Sequence, residues 1–115
     1  DAARLANAVV ALDCTPAALT WKSGVGFLSL GGTKNSCMSV EAVILFDPKG
    51  LEFELWRKRA AHLFSKHRFL SARMVGYLEK GLWLELAQQA NNSATYLTNG
   101  LRGAGMQFYF NHKQT

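Results

Sequence analysis

The sequence has 115 residues, which is enough for one modest domain and too few for two. Its 49% hydrophobic and 18% charged residues are typical of a globular protein, and no apolar stretch approaches the roughly 20 residues that a membrane-spanning helix needs. Thirteen Lys and Arg against eight Asp and Glu give a formal charge of +5, which is mild for a dedicated nucleic-acid binder. We therefore expect neither a membrane nor a nucleic acid as partner.

The start of the chain and its two cysteines bear on the cellular compartment. No basic segment followed by an apolar core marks a secretory signal, and because the chain begins without Met we expect a natural start that is processed or missing. Cys14 and Cys37 lie in no CxxC or His-paired motif. We interpret both as free thiols in a reducing compartment, with a disulfide between them as the less favoured alternative. The predicted location is cytoplasmic.

The first part of the chain predicts two short helices. A helix over residues 4–12 follows from apolar residues at spacings of three and four, which are Leu5, Ala8, Val9 and Leu12. The sequence DCTP ends this helix, because the residue before Pro16 avoids the helical region. Thr15 is then a candidate cap for a second helix through Trp21.

Two strands are predicted next, with a lysine between them. The runs VGFLSL (25–30) and VEAVILF (40–46) are nearly continuous in apolar residues. Such runs are typical of strands covered on both faces, as in a sheet between helices. The segment GGTKNS (31–36), which we call the lysine loop, follows the first strand.

Three helices and a final strand are predicted in the second half. Asp47 and Pro48 favour a helix start, and helical periodicity predicts helices over about 51–64, 69–79 and 82–99. Asn99 and Gly100 have the pattern of a helix C-cap, and MQFYF (106–110) predicts a short strand. The predicted fold class is α/β. Because two or three strands form a weak sheet by themselves, we expect part of a larger α/β protein or a chain that needs a partner.

The lysine loop admits two interpretations. Glycines before Lys34 allow a sharp turn, and three short polar side chains would surround its amine, those of Thr33, Asn35 and Ser36. Desolvation in a confined site favours the neutral amine, which is the nucleophile of Schiff-base chemistry. The alternative is an exposed lysine in an ordinary turn, which is the commoner outcome for a short pattern of this kind.

Four segments resemble the low-specificity threonine aldolase family: FLSLGGTKNS, EAVILFDP, RKRAAHLFSKHRFLSA and YLEKGLWLELAQQAN. The resemblance covers residues 1 to about 102. Enzymes of this family depend on pyridoxal 5'-phosphate (PLP) and have the aspartate-aminotransferase type of fold. The resemblance therefore implies that residues 1–80 are the C-terminal part of the PLP-binding large domain and that residues 81–115 begin a small C-terminal domain.

The same resemblance implies roles for individual residues. Lys34 corresponds to the lysine that holds PLP as a Schiff base. The family motif DGAR matches DAAR here, so Asp1 would pair with the pyridinium nitrogen and Arg4 would bind the substrate carboxylate. A carboxylate favours the protonated ring that makes PLP an electron sink, and arginine binds carboxylates with two parallel donors. Without the resemblance, DAAR is better interpreted as a helix start with Asp at the positive end of the dipole.

A basic stretch follows the second strand. It contains Arg57, Lys58, Arg59, Lys66, Arg68 and Arg73, with His62 and His67 among them. The interpretations are a solvated helix face, an anionic partner, or, from the resemblance, an arginine that reaches a cofactor phosphate in the assembled oligomer. Arg68 is the best match for that arginine, with Lys66 weaker. Nearby glutamates and the lack of interleaved aromatic residues disfavour nucleic acid, and the histidines lack metal-ligand spacing, so no metal is expected.

The resemblance implies cleavage of L-threonine, or of related β-hydroxy-α-amino acids, to glycine and an aldehyde in a homotetramer or dimer. The alternatives are another PLP-dependent lyase or aminotransferase, and a non-catalytic helical fragment or oligomer. Many members have glycine where Ser36 stands, so a positive φ there would be strained. Members are about three times as long and contain a phosphate-binding loop and a ring-stacking histidine upstream, so we expect this chain alone to be inactive.

Overall fold

The computed structural model describes residues 1–47 and 52–108. They form a two-stranded sheet and four α-helices, in agreement with the predicted α/β class. The elements are α1 (Leu5–Ala11), β1 (Phe27–Gly31), β2 (Glu41–Leu45), α2 (Phe53–Arg59), α3 (Arg68–Leu78) and α4 (Leu82–Gly103). Three-residue 3-10 helices lie at Trp21–Ser23, Thr33–Asn35 and Glu79–Gly81.

The two strands pair antiparallel, with a register that runs from Phe27 opposite Leu45 to Gly31 opposite Glu41. The lysine loop lies in the connection between them. Alternation along the strands places Leu28 and Leu30 on a buried face, whereas Phe27 on the other face is 69% exposed. The expectation that both faces are covered is therefore wrong for this chain, because its described residues provide a covering layer on one face only.

Two separate apolar clusters hold the elements together. The first joins Ala2 to Leu28 and Leu30 of β1, with Leu5, Ile44 and Phe46 packed around them. The second lies beneath the lysine loop and joins Cys37, Val40 and Tyr77, with Leu70, Met74, Trp83 and Leu86 packed around them. Cys37 and Val40, which follow the lysine loop, thus attach its C-terminal end to α3 and α4 by apolar packing.

The first predicted helix is confirmed, and the second is wrong. In α1, Val9 is buried as the periodicity requires, although Leu12 lies just beyond the helix and is 64% exposed. After it the Thr15 hydroxyl accepts the cap-like bond from the Ala18 N–H at 3.3 Å. The Thr20 hydroxyl donates to the Pro16 carbonyl at 2.8 Å, and the segment forms turns instead of a helix.

Helix α2 is shorter than predicted because a left-handed residue ends it. Ala61 has a φ of +58°. The N–H of Ala61 donates to the Lys58 carbonyl, and that of His62 donates to the Arg57 carbonyl. These two bonds form a Schellman motif, which satisfies the last carbonyls of the helix and ends it at Arg59. The predicted start at Pro48 lies outside the described residues.

Helices α3 and α4 occupy the predicted positions, but α4 continues past the predicted cap at Asn99 and Gly100. It ends at Gly103, and Gly105 with a φ of +83° is the left-handed residue that follows. The chain from 106 to 108 is not a strand, and the rest of that predicted strand lies outside the described residues. Among the helices that the structure describes, none combines the length and the hydropathy needed to cross a membrane.

A joint of two left-handed residues separates α3 from α4. Lys80 has a φ of +54° and Gly81 a φ of +79°. Beyond the joint, α4 packs against α1, where the Asn7 side-chain amide donates to Asn91 Oδ1 at 3.0 Å. The Asn91 amide in turn donates to the Asn7 carbonyl at 3.1 Å. This reciprocal pair fixes the position of α4 along α1.

Candidate functional site

Lys34 lies in the middle of the 3-10 helix Thr33–Asn35, which begins two residues after the end of β1. Its side chain is exposed. The confined polar environment expected around the amine is therefore not present in this chain, because no described element covers the loop from outside. The exposed amine is accessible to a ligand.

The polar neighbours of Lys34 bind other parts of the chain instead of its amine. Asn35 is buried, and its Nδ2 donates to the Tyr77 hydroxyl and to the Trp83 carbonyl, both at 2.7 Å. The Thr33 hydroxyl donates to Glu41 Oε1 at 3.0 Å. The expectation that these side chains surround the amine is wrong. They fix the backbone on both sides of the lysine, Thr33 to β2 and Asn35 to α3 and α4.

The loop backbone is tightly folded, as its glycines predict. The N–H groups of Asn35 and Cys37 both donate to the Gly32 carbonyl at 3.0 Å. A Cβ on Gly32 would lie 2.8 Å from the Cys37 Cβ, so only glycine fits without a shift. Ser36 has a φ of +69°, in the left-handed region. This confirms the backbone strain expected at the position where many members of the resembled family have glycine.

Cys37 anchors the end of the loop to α3. Its thiol is buried and donates to the Arg73 carbonyl at 3.8 Å, while Arg73 Nη1 donates to the Met38 carbonyl at 3.3 Å. Burial raises the pKa of the Cys37 thiol; Arg73 opposes this increase and Glu41 adds to it. Cys37 is a free thiol, as the sequence predicts. A buried thiol with a raised pKa is a poor nucleophile, which favours a structural role for Cys37.

Tyr77 and Arg73 are the residues of this site that sequence reasoning missed. Burial raises the pKa of the Tyr77 hydroxyl; the bond from Asn35 opposes this increase, and Cys37 adds to it. The signal for Tyr77 in the sequence is an aromatic residue at a helical position, which is typical of packing. Arg73 was grouped with the basic stretch, and nothing in the sequence pattern indicated its contact with Met38.

The N-terminal segment attaches to the same strand as the lysine loop. The Ala2 N–H donates to the Ser29 carbonyl of β1 at 2.9 Å, which places the exposed Asp1 beside that strand. Asp1 Oδ1 accepts the Ala3 N–H at 3.1 Å, the kind of bond expected at a helix start. Arg4 is the N-cap residue of α1 and is exposed. The structure thus attaches the DAAR segment and the lysine loop to one strand.

Arg68 does not lie at the lysine loop. It is the first residue of α3, it is exposed, and its guanidinium lies 4.8 Å from the centre of the Phe69 ring. At ~1.5 Å per residue, about 14 Å of helix separates it from Tyr77. Its role at a neighbouring subunit stays a prediction.

Across residues 1–47 and 52–108, no three His, Cys, Asp or Glu side chains group closely enough to bind a metal ion.

Comparison with known proteins gives one family match and two close relatives. A family model described as beta-eliminating lyase matches residues 1–114. The chain is 49% identical over 100 residues to a low specificity L-threonine aldolase of Pseudomonas sp. (strain NCIMB 10558), covering 86% of this chain and 29% of the relative. It is 45% identical over 98 residues to the protein of that name from Pseudomonas aeruginosa, covering 84% of this chain and 28% of the relative.

The chain spans less than a third of the length of these relatives and corresponds to a fragment of them. Both relatives are named low specificity L-threonine aldolases. These names confirm the resemblance to that family, which the sequence shows in its GGTKNS and DAAR motifs. Because the family match extends over nearly all of the 115 residues, the chain belongs to the beta-eliminating lyase family.

Proposed function

We propose that the polypeptide containing these residues is a PLP-dependent lyase that cleaves L-threonine, or a related β-hydroxy-α-amino acid, to glycine and an aldehyde. Membership in the beta-eliminating lyase family and the names of the two relatives support this activity. The structural observation that carries it is the exposed Lys34 amine on a loop whose flanking residues, Thr33 and Asn35, are both hydrogen-bonded elsewhere. Such a loop holds a nucleophile in place and leaves it accessible.

The residues present fit PLP as a cofactor. Its aldehyde needs an accessible amine, which Lys34 provides. Its ring nitrogen needs a carboxylate, which the exposed Asp1 provides on a segment attached to the strand that precedes the lysine loop. The exposed guanidinium of Arg4, in the same segment, is suited to a substrate carboxylate.

Each of these side chains then has a distinct task. Lys34 would hold the cofactor through Nζ, and its amine, when free, would accept or return a proton. Asp1 stabilises the protonated ring nitrogen by charge. Arg4 binds the substrate carboxylate with two donors and thereby orients the Cα–Cβ bond that breaks. PLP, when bound, supplies the electron sink for the pair that this cleavage releases.

The remaining assignments belong to the same proposal. Residues 1–80 complete a large cofactor-binding domain, and residues 81–115 begin a small one. Arg68 contacts the cofactor phosphate of a neighbouring subunit in a homotetramer or dimer, to which its exposed position at the start of α3 is suited. The substrate is a small-molecule amino acid and the location is the cytoplasm. We expect the 115-residue chain alone to be inactive.

The product distinguishes this proposal from a different lyase reaction. Cleavage of the Cα–Cβ bond of threonine yields glycine and acetaldehyde, whereas β-elimination, the reaction in the family's name, yields 2-oxobutanoate and ammonia. Incubation of the full-length polypeptide with threonine and PLP, followed by quantification of glycine and 2-oxobutanoate, decides between them. We expect glycine. Formation of 2-oxobutanoate alone would show that the polypeptide is another PLP-dependent lyase.

The role of Lys34 is tested with a matched lysine. Lys22 is also exposed and is also the middle residue of a three-residue 3-10 helix. In the full-length polypeptide with PLP, borohydride should fix the cofactor on Lys34, identified by mass spectrometry. We expect Lys34→Ala to abolish trapping and threonine cleavage and Lys22→Ala to retain both. Undiminished cleavage by the Lys34→Ala variant would refute the assignment.

A further inference from the structure

The Lys34 side chain is exposed, but the residue that follows it is one of the two buried polar residues among those the structure describes. Asn35 is 5% exposed and so is its partner Tyr77. The two are 42 residues apart in sequence, so this bond connects the lysine loop to a distant helix. A buried polar contact next to an exposed amine suggests that its role is to order the backbone at that amine.

The Asn35 amide nitrogen uses both of its hydrogens. One is donated to the Tyr77 hydroxyl and the other to the Trp83 carbonyl, each at 2.7 Å. Removal of either acceptor leaves a buried donor unsatisfied, which is more unfavourable than the loss of an exposed hydrogen bond. The amide is therefore restricted to a single position, and the Lys34 Cα is one peptide unit away.

We infer that Tyr77, acting through Asn35, is a positioning residue for the Lys34 amine. The inference rests on the proposed function, because it concerns the geometry in which Lys34 meets the cofactor. Tyr77 does not touch Lys34 in this arrangement; it fixes the residue that follows it. The raised pKa of the Tyr77 hydroxyl keeps it neutral, so this contact does not change with pH in the neutral range.

Three substitutions in the full-length polypeptide separate positioning from packing. Tyr77→Phe keeps the ring in the apolar cluster and removes only the acceptor. Asn35→Ala removes the donor. Tyr96→Phe is the matched control, since Tyr96 lies on α4 and is 84% exposed.

The first measurement does not need the cofactor. The Asn35 and Cys37 amides donate to the Gly32 carbonyl, so their hydrogen-exchange rates report whether the lysine loop is ordered. We expect exchange about tenfold faster in the Tyr77→Phe and Asn35→Ala variants. The Tyr96→Phe variant should exchange at the unaltered rate. Unchanged exchange in the Tyr77→Phe variant would overturn the inference.

The second measurement uses PLP with borohydride and follows the rate at which Lys34 is trapped. We expect about tenfold slower trapping in the Tyr77→Phe variant and a loss at least as large in the Asn35→Ala variant, which also loses the bond to the Trp83 carbonyl. The double variant should show no loss beyond that of Asn35→Ala, because Asn35→Ala already removes the contact that Tyr77→Phe removes. Losses that multiply in the double variant would assign Tyr77 to packing alone and contradict the inference. Absence of trapping in the unaltered polypeptide would refute the proposed function, while the exchange rates still decide whether Tyr77 orders the loop.

Discussion

At the scale of single residues, Ser36 is held in a conformation that its side chain opposes. Its φ of +69° is in the left-handed region, where a Cβ is unfavourable and glycine is not. We expect Ser36→Gly to increase the free energy of unfolding by about 1 kcal/mol, measured by urea denaturation.

The same substitution at Ser71 is the control. Ser71 is exposed in the interior of α3, where glycine is the poorer helix former, so Ser71→Gly should lower the free energy of unfolding by about 0.5 kcal/mol. Changes of the same sign at both positions would show that the left-handed backbone of Ser36 is not the cause.

The Cys37 thiol should make stability depend on alkaline pH. Burial raises its pKa above the ordinary value of 9.0, so as pH rises the unfolded chain loses this proton before the folded chain does. The contribution of Cys37 is therefore fully present below about pH 9 and falls as pH rises towards the folded pKa. Tyr77, whose pKa is raised from 10.0, adds a second decrease at higher pH.

Denaturation curves between pH 7 and pH 10 test this dependence. We expect Cys37→Ala to flatten the decrease that begins near pH 9, and Cys14→Ala, at the half-buried thiol, to retain it. Equal slopes for Cys37→Ala and the unaltered chain would contradict the assignment to Cys37.

Residue-scale predictions from the sequence succeeded where the cause was local. The glycines predict a sharp turn, and the family resemblance predicts strain at Ser36 if its φ is positive; the tight loop at Gly32 and the left-handed Ser36 are both present. The pattern left both a confined and an exposed Lys34 open, and the choice between them, like the bond between Asn35 and Tyr77, depends on elements that are distant in sequence. A local pattern carries no information on such contacts.

At the scale of elements, the ends of helices were harder to predict than their existence. Gly100 and Gly105 both fit the pattern of a residue after a helix C-terminus. The structure selects Gly105, where the Gly105 N–H donates to the Arg102 carbonyl and the Met106 N–H donates to the Leu101 carbonyl. Periodicity detects the helix, but it does not decide which of the two permitted glycines follows its end.

The contact between α1 and α4 depends on a pair of asparagines 84 residues apart in sequence. We expect Asn7→Ala and Asn91→Ala each to lower the free energy of unfolding by about 1–2 kcal/mol. Asn7→Ala leaves the partly buried Asn91 Oδ1 without its donor, and Asn91→Ala removes both bonds of the pair. The double variant should lose less than the sum, with a coupling of about 0.5 kcal/mol or more. Urea denaturation of the four proteins measures the cycle.

Asn92 provides the control for that pair. It is exposed on the same helix and accepts a bond from Gln88 at 2.9 Å. Asn92→Ala should change the free energy of unfolding by less than about 0.5 kcal/mol, as is usual at exposed positions. Additive effects of Asn7→Ala and Asn91→Ala would show that the two amides do not stabilise the contact jointly.

At the scale of the whole molecule, the chain exposes apolar surface on its two-stranded sheet. Phe27 is 69% exposed and Val43 is 47% exposed on one face of the sheet, and the chain spans less than a third of its relatives. We expect the isolated 115-residue chain to self-associate, with an apparent mass in size-exclusion chromatography that increases with concentration. Phe27→Ser should weaken this association.

Leu28→Ser separates association from folding. Leu28 is 8% exposed in the first apolar cluster. We therefore expect Leu28→Ser to lower the free energy of unfolding and not only to weaken self-association. A concentration-independent mass for the unaltered chain would contradict the prediction. The sequence indicated the strands correctly from their apolar runs, but residues 1–47 and 52–108 provide no layer for the second face, and only the structure reveals which face is exposed.

The two acceptors of the Asn35 amide lie on opposite sides of the joint at Lys80 and Gly81, since Tyr77 precedes it and Trp83 follows it. A single nitrogen with two hydrogens can reach both acceptors only while their separation stays constant. Rotation of α4 relative to α3 would therefore break one of the bonds, and the amide that responds is directly bonded through the backbone to Lys34. The angle between the two helices is thus coupled to the loop that carries the reactive amine.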